Sequence, residues 1–192
     1  HILPQILTAL RIAISQGLKI PLVYNTSGFE AREALKLLEG IVDIYLTDMR
    51  YADAKIAERY SLAFGYPEYS KRALIEMRRQ INKDEFDNSG IMRRGLIIRH
   101  LVLPNGLSGT KEVMRFIAEE VSINSLISLM SQYLPYYKAD KDELVARRLK
   151  IKEYEEAKRI MKGFGLSDGW VQDSFGLERF AGVNIKSVLK NG

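Results

Sequence analysis

Apolar positions in this chain follow two rhythms, helical spacings of three and four and short unbroken runs rich in β-branched and aromatic residues. That alternation predicts repeated β/α units around a parallel sheet. From about Pro4 to Gly17, the spacing of Ile6, Leu7, Leu10 and Ile14 predicts an amphipathic helix with Pro4 in its first turn and Gly17 at its end. Ile20 to Asn25 reads as a buried strand, Phe29 to Glu39 as a helix capped from Thr26 to Gly28 and stopped at Gly40, and Val42 to Asp48 as the next strand. Tyr51 to Tyr60 and Tyr66 to Ile81 have helical spacing. The polar stretch Asn82 to Arg93, with Asn88, Ser89 and Gly90 at its tip, predicts a small hairpin. Gly95 to Leu103 is the third strand, expected to be buried on both faces. Ser108 and Thr110 are placed to cap a helix reaching Val121, and Leu126 to Gln132 is the fourth strand.

Past Tyr133 the chain becomes more charged, with a helix from about Glu153 to Lys162, a short strand at Trp170 to Gln172, and weak periodicity after Asp173. The expected organisation is a partial (β/α) barrel over residues 1–135 and a carboxyl-terminal extension packed on it over 136–192. The fold class is α/β: parallel strands with outer helices, either a doubly wound sheet or an arc of a TIM-like barrel incomplete at its N-terminal side.

Length and composition narrow the classes. The 192 residues suit a single folding unit, and 46% apolar with 28% charged residues is the balance of a globular chain. The excess of Lys and Arg over Asp and Glu leaves +5, which favours anionic small molecules without requiring nucleic acid. There is no cysteine, so this chain by itself holds no disulfide, zinc ribbon, thiol nucleophile or iron-sulfur cluster. No apolar run approaches the roughly 18 to 20 residues of a membrane span, and the opening segment carries Arg11 and no cationic leader, so a cytoplasmic location is expected. There is no GxGxxG, GxxxxGK[ST] or HExxH motif.

Ligands of parallel α/β folds bind where the strands end and the βα loops begin. The chain places polar residues there: Tyr24, Asn25, Thr26 and Ser27 on the first strand, Asp48 and Arg50 on the second, Arg99 and His100 on the third, and Ser131, Gln132 and Tyr133 on the fourth. Alternation puts Asp48 and Arg50 on one face and separates Arg99 from His100. Each has a plainer reading: Asp48 as a helix cap, Arg50 as its surface ion-pair partner, His100 as a packing residue. Arg99 in a buried strand requires an anion or a carboxylate. Tyr133, Tyr136 and Tyr137 are expected to pack, and the pairs Arg78–Arg79, Arg93–Arg94 and Arg147–Arg148 to be solvated faces broken by acidic neighbours.

Three segments, Tyr24-Asn25-Thr26-Ser27-Gly28-Phe29, Asp48-Met49-Arg50 and Ile98-Arg99-His100-Leu101-Val102-Leu103-Pro104, resemble the strand-end motifs of radical S-adenosylmethionine proteins. The resemblance is to the group related to pyruvate formate-lyase activating enzyme, where the segments read like Asp-Thr-Asn-Gly-Phe, Asp-Leu-Lys and Ile-Arg-Tyr-Val-Val-Val-Pro-Gly. It covers most of residues 1–135, and Arg147-Arg148 with Glu153-Tyr154-Glu155-Glu156-Ala157 look like a branch of that group.

The resemblance implies a partial barrel that binds S-adenosylmethionine and a [4Fe-4S] cluster and cleaves the former reductively to a 5′-deoxyadenosyl radical. That radical takes a hydrogen from a glycine of a partner glycyl radical enzyme, with flavodoxin or ferredoxin as electron donor. No nucleic acid or membrane partner is implied. Asn25 and Thr26 would border the cofactor, Asp48 and Arg50 would stand for the family's Asp and Lys, and Arg99 would meet its carboxylate or ribose side. Gln132 falls near a family histidine by the adenine. The family's CxxxCxxC and Gly-Gly-rich segment are absent, so the chain is expected to be the inactive carboxyl-terminal portion of a longer protein, with a first strand edge that pairs elsewhere. A non-catalytic module binding an anion or a protein is the alternative. An enzyme of phosphorylated sugars would need a glycine-rich phosphate loop that the sequence lacks.

Overall fold

The computed structural model describes residues 2–172. Its strands are β1 (Val23–Thr26), β2 (Ile44–Asp48), β3 (Glu85–Phe86), β4 (Met92–Leu101), β5 (Leu126–Met130) and β6 (Gly169–Val171). Five of them run parallel in the order β1-β2-β4-β5-β6, while β3 folds back antiparallel on the start of β4 as the expected hairpin. The helices are α1 (Leu3–Ser15), α2 (Arg32–Lys36), α3 (Ala54–Ser61), α4 (Tyr66–Gln80), α5 (Thr110–Phe116) and α6 (Ile151–Gly163). This is the α/β architecture of parallel strands and outer helices. Residues 173–192, the end of the expected extension, lie outside the described residues.

The sheet has one covered and one open face. Tyr45, Leu96, Ile98, Ile127 and Leu129 point into a core with Leu35 and Leu38 behind β1, Leu74 and Met77 of α4, Met114 of α5 and Tyr154 of α6. The alternate residues Leu46, Ile97 and Leu126 are only half-buried, and Val23 and Trp170 are more than half exposed. The third strand is therefore fully buried on one face only, because α1, α2, α4, α5 and α6 pack behind the same side chains, while α3 packs in a separate cluster with Leu101 and Leu103 at the strand's carboxyl end. Strand β6 pairs with β5 and α6 enters the same core, so residues 151–171 continue the sheet and its helical layer.

Other local expectations shift for identifiable reasons. Strand β1 starts at Val23 because Pro21 cannot donate to a ladder. In α1 the half-buried stripe is Leu3, Leu7, Leu10 and Ala13, leaving Ile6 and Ile14 exposed. Helix α2 is one short turn and more, with Ala31 and not a Thr26–Gly28 cap at its start, since Thr26 Oγ1 accepts from the Gly28 amide instead. Helix α5 starts after Gly109 at φ +66° without a side-chain cap. Ser108 Oγ is turned back to the Leu103 amide and Thr110 Oγ1 to His100. Asp53, and not Asp48, caps α3, accepting from the amides of Lys55 and Ile56 at 2.6 and 3.1 Å.

Candidate functional site at the carboxyl ends of the strands

Strand register brings Asp48 directly beside Arg99, and both project from the face opposite the main helical layer. Asp48 Oδ1 accepts from Arg99 Nε at 2.6 Å, and Oδ2 accepts from Arg50 Nε at 2.8 Å and Nη2 at 2.6 Å. Arg99 Nη2 donates to Asn25 Oδ1 at 2.9 Å, which ties in β1. One carboxylate, its side chain 5% exposed, thus holds two guanidinium groups that are 27% and 45% exposed. The arrangement carries a net positive charge, and charge-assisted bonds to a buried acceptor fix the orientation of both arginines. Among the described residues, Nη1 of Arg50 and Nη1 of Arg99 make no hydrogen bond within the chain, so donors remain for an anionic ligand.

Tyr66 and Gly28, which the sequence marks only as a helix start and part of a turn, shape this row. Tyr66, at the start of α4 and 2% exposed, donates from its hydroxyl to Ser27 O at 2.8 Å and accepts from the Arg50 amide at 3.0 Å. It clamps the loops after β1 and β2 to each other. Burial pushes its own phenol pKa upward, so it stays a neutral donor. Gly28 stands at φ +78°, and a Cβ there would lie 2.2 Å from Asp48 O, so only glycine lets the β1 loop approach the end of β2. A tyrosine at a helix start gives no signal of this kind in sequence; the Thr-Ser-Gly turn does. Tyr66→Phe is expected to cost about 1 kcal/mol in urea denaturation, and the Arg50 amide should lose hydrogen-exchange protection.

The remaining candidates are placed differently. Thr26 faces the helical side, where its hydroxyl and that of Tyr24 (3.2 Å) both donate to Glu30 Oε1; burial, then Glu30, push the Tyr24 phenol up to about 12. Gln132 lies past β5, its amide bonded to Gln172 and Met130, and it makes no hydrogen bond to the Asp48–Arg99 row. His100 is fully buried behind the sheet. Its Nδ1 is 2.7 Å from Met49 O, which can only accept, so the proton is on Nδ1 and Nε2 accepts from Thr110 Oγ1 at 3.0 Å. It is a packing residue that ties the β2 loop to α5.

The arginine pairs are mostly spent on carboxylates: Arg78 on Asp84, Arg79 on Glu76 and Glu39, Arg93 on Asp87, and Arg147 on Glu153. They form no continuous stripe for a phosphate backbone. Among the described residues no group of three His, Cys, Asp or Glu is disposed to hold a metal ion, and no helix is long and apolar enough to cross a membrane.

No family model matches the chain. An uncharacterized protein of Methanocaldococcus jannaschii is 32% identical over 164 residues, which are 85% of this chain and 44% of that protein, so the chain spans less than half the length of that relative. The fold is similar to the crystal structure of a domain of pyruvate-formate lyase-activating enzyme from Bacteroides vulgatus, with a TM-score of 0.57 and 15% identity over 89% of this chain and 91% of that one. The helix-backed parallel sheet is thus the fold of a domain found in an activating enzyme.

Proposed function

We propose that the chain is the carboxyl-terminal part of a radical S-adenosylmethionine protein of the activating-enzyme kind, and that the row Asn25, Asp48, Arg50 and Arg99 binds S-adenosylmethionine through its carboxylate and ribose. The observation that carries this reading is the row itself, four side chains from three neighbouring strands joined on the face opposite the main helical layer, where ligands of this fold class bind. The donor set fits: two oriented guanidinium groups suit a carboxylate, and the exposed Asn25 amide suits a hydroxyl.

A [4Fe-4S] cluster does not fit this chain, which has no thiolate to hold it. Its ligands would belong to a part of the protein outside residues 1–192, pairing with the free edge of β1. Reductive cleavage of the cofactor, hydrogen abstraction from a glycyl radical enzyme and electron supply from flavodoxin or ferredoxin would be properties of that whole protein. The residues here bind and orient. An anion-binding module without such chemistry is the second reading, favoured by the lack of cysteine.

Titration calorimetry of S-adenosylmethionine into the full-length, iron-reconstituted protein tests this. Arg99→Ala removes a charged hydrogen bond of about 1.5 to 3 kcal/mol, so a loss of at least tenfold in affinity is expected, while Arg72→Ala on the α4 surface should change nothing. Unchanged affinity in both Arg99→Ala and Asp48→Asn would end the proposal.

A further inference from the structure

One phenol joins the two loops that carry the site. Asn25 stands near the end of β1, and Arg50 lies in the loop after β2. Among the described residues no backbone hydrogen bond runs between residues 27–31 and 49–53. Tyr66 Oη bridges them instead, donating to Ser27 O at 2.8 Å and accepting from the Arg50 amide at 3.0 Å, with Asp48 O 3.3 Å away. The neighbouring amides of the β2 loop are tied elsewhere, Met49 to Arg99 O at 2.9 Å and Ala52 to Ser108 O at 3.2 Å. Tyr66 is thus the side chain that fixes the peptide of Arg50 itself.

That peptide decides where the Arg50 guanidinium points. Its Nε and Nη2 both donate to Asp48 Oδ2. A single carboxylate oxygen holds one side of the group and leaves it free to turn about that point. The backbone at the other end of the side chain is the second fixed point, and it sets the direction of Nη1, the donor left for a ligand. The hydroxyl that holds this backbone is itself held. Its ring is 2% exposed in the cluster of Tyr51, Ala57, Ala63 and Leu103, with the rings of Phe29 and Tyr51 centred 5.8 and 5.7 Å away. Tyr66 opens α4, whose Leu74 and Met77 are fully buried in the main core, so a rigid element carries it.

We infer that Tyr66 is a positioning residue of the S-adenosylmethionine site, its hydroxyl setting the direction in which Arg50 offers Nη1 to the ligand carboxylate. The inference rests on the reading that the row binds that cofactor, and it gives Tyr66 no contact with the ligand.

Titration calorimetry of the full-length, iron-reconstituted protein is the test. Tyr66→Phe keeps the ring and removes the bridge, and affinity for S-adenosylmethionine is expected to fall about fivefold, the usual effect of one neutral hydrogen bond. Because the effect passes through Arg50, Tyr66→Phe should cause no further loss in an Arg50→Ala background. Tyr45→Phe is the control for a merely structural role. Tyr45 is a fully buried phenol whose hydroxyl donates to Gln80 Oε1 at 2.6 Å on the helical side, and its removal should lower the urea midpoint and leave affinity unchanged. Unchanged affinity in Tyr66→Phe, an undiminished loss in the Arg50→Ala background, or an equal loss in Tyr45→Phe would each overturn the assignment. All three leave the effect of Arg99→Ala as it stands, so the inference can fail while the reading beneath it holds.

Discussion

Asp48→Ala is expected to lower folding stability by about 3 kcal/mol, because breaking a buried ion pair from one side leaves the opposite charge uncompensated. Two guanidinium groups depend on this one carboxylate, Arg99 at 2.6 Å and Arg50 at 2.6 Å. Arg50 is 45% exposed and can turn to water, which places the effect at the low end of the range for buried pairs. Arg99 is more enclosed, and its Nη2 bond to Asn25 is useful only while Asp48 fixes Nε. For a domain with a total stability of about 5 to 15 kcal/mol, such a loss brings unfolding within reach of mild heating. A urea titration with unchanged slope and a lower midpoint would show it. In the Asp48→Ala background, Arg99→Ala should then cost little further, since the two share one interaction; full additivity would contradict the coupling.

Acid is expected to weaken the fold in two separate windows. Desolvation by complete burial lowers the His100 pKa to about 4, despite the bond to Met49 O that favours the proton. The unfolded chain therefore binds this proton first. Stability from the neutral ring is complete above about pH 6.5 and declines as the pH falls toward 4, by about 3 kcal/mol in all. The second window belongs to Glu76, 1% exposed, which the Arg79 guanidinium, with Gln80 and Arg32, holds at about 2, and to Glu153, which Arg147 holds at about 2 as well. Their contribution is present above about pH 4.5 and is lost as the pH drops through 2. Urea midpoints at pH 7 and 5 should differ in the unsubstituted protein and converge in His100→Gln, while Glu76→Gln should leave the upper window intact. A midpoint that stays level from pH 7 to 5 would refute the role of His100.

Helix α4 was legible almost residue for residue, because Ala73, Leu74 and Met77 mark a stripe that meets the sheet and Gly65 and Pro67 mark its start. The hairpin before β4 was legible from Asn88-Ser89-Gly90, since that turn chemistry has few other uses. The caps were not, because a hydroxyl near a helix start has competing partners: Thr110 is taken by His100, and Thr26 by Gly28 and Glu30. At the site, Asp48, Arg50 and Arg99 were legible as charges at strand ends. Tyr66 was not, because its role rests on two loop backbones that its own neighbours in sequence do not reveal.

The sequence by itself determined the β/α rhythm, the parallel sheet, the lack of thiol ligands and the set of polar groups near the strand ends, since these follow from side-chain period and residue chemistry. Only the tertiary structure decided which of those groups meet. Strand order and register put Asp48 beside Arg99 and within reach of Asn25, and left Gln132 to bond Gln172 instead. It also decided that the main helical layer covers one face of the sheet and not both. Periodicity is a property of one segment, whereas pairing and covering depend on which segments become neighbours.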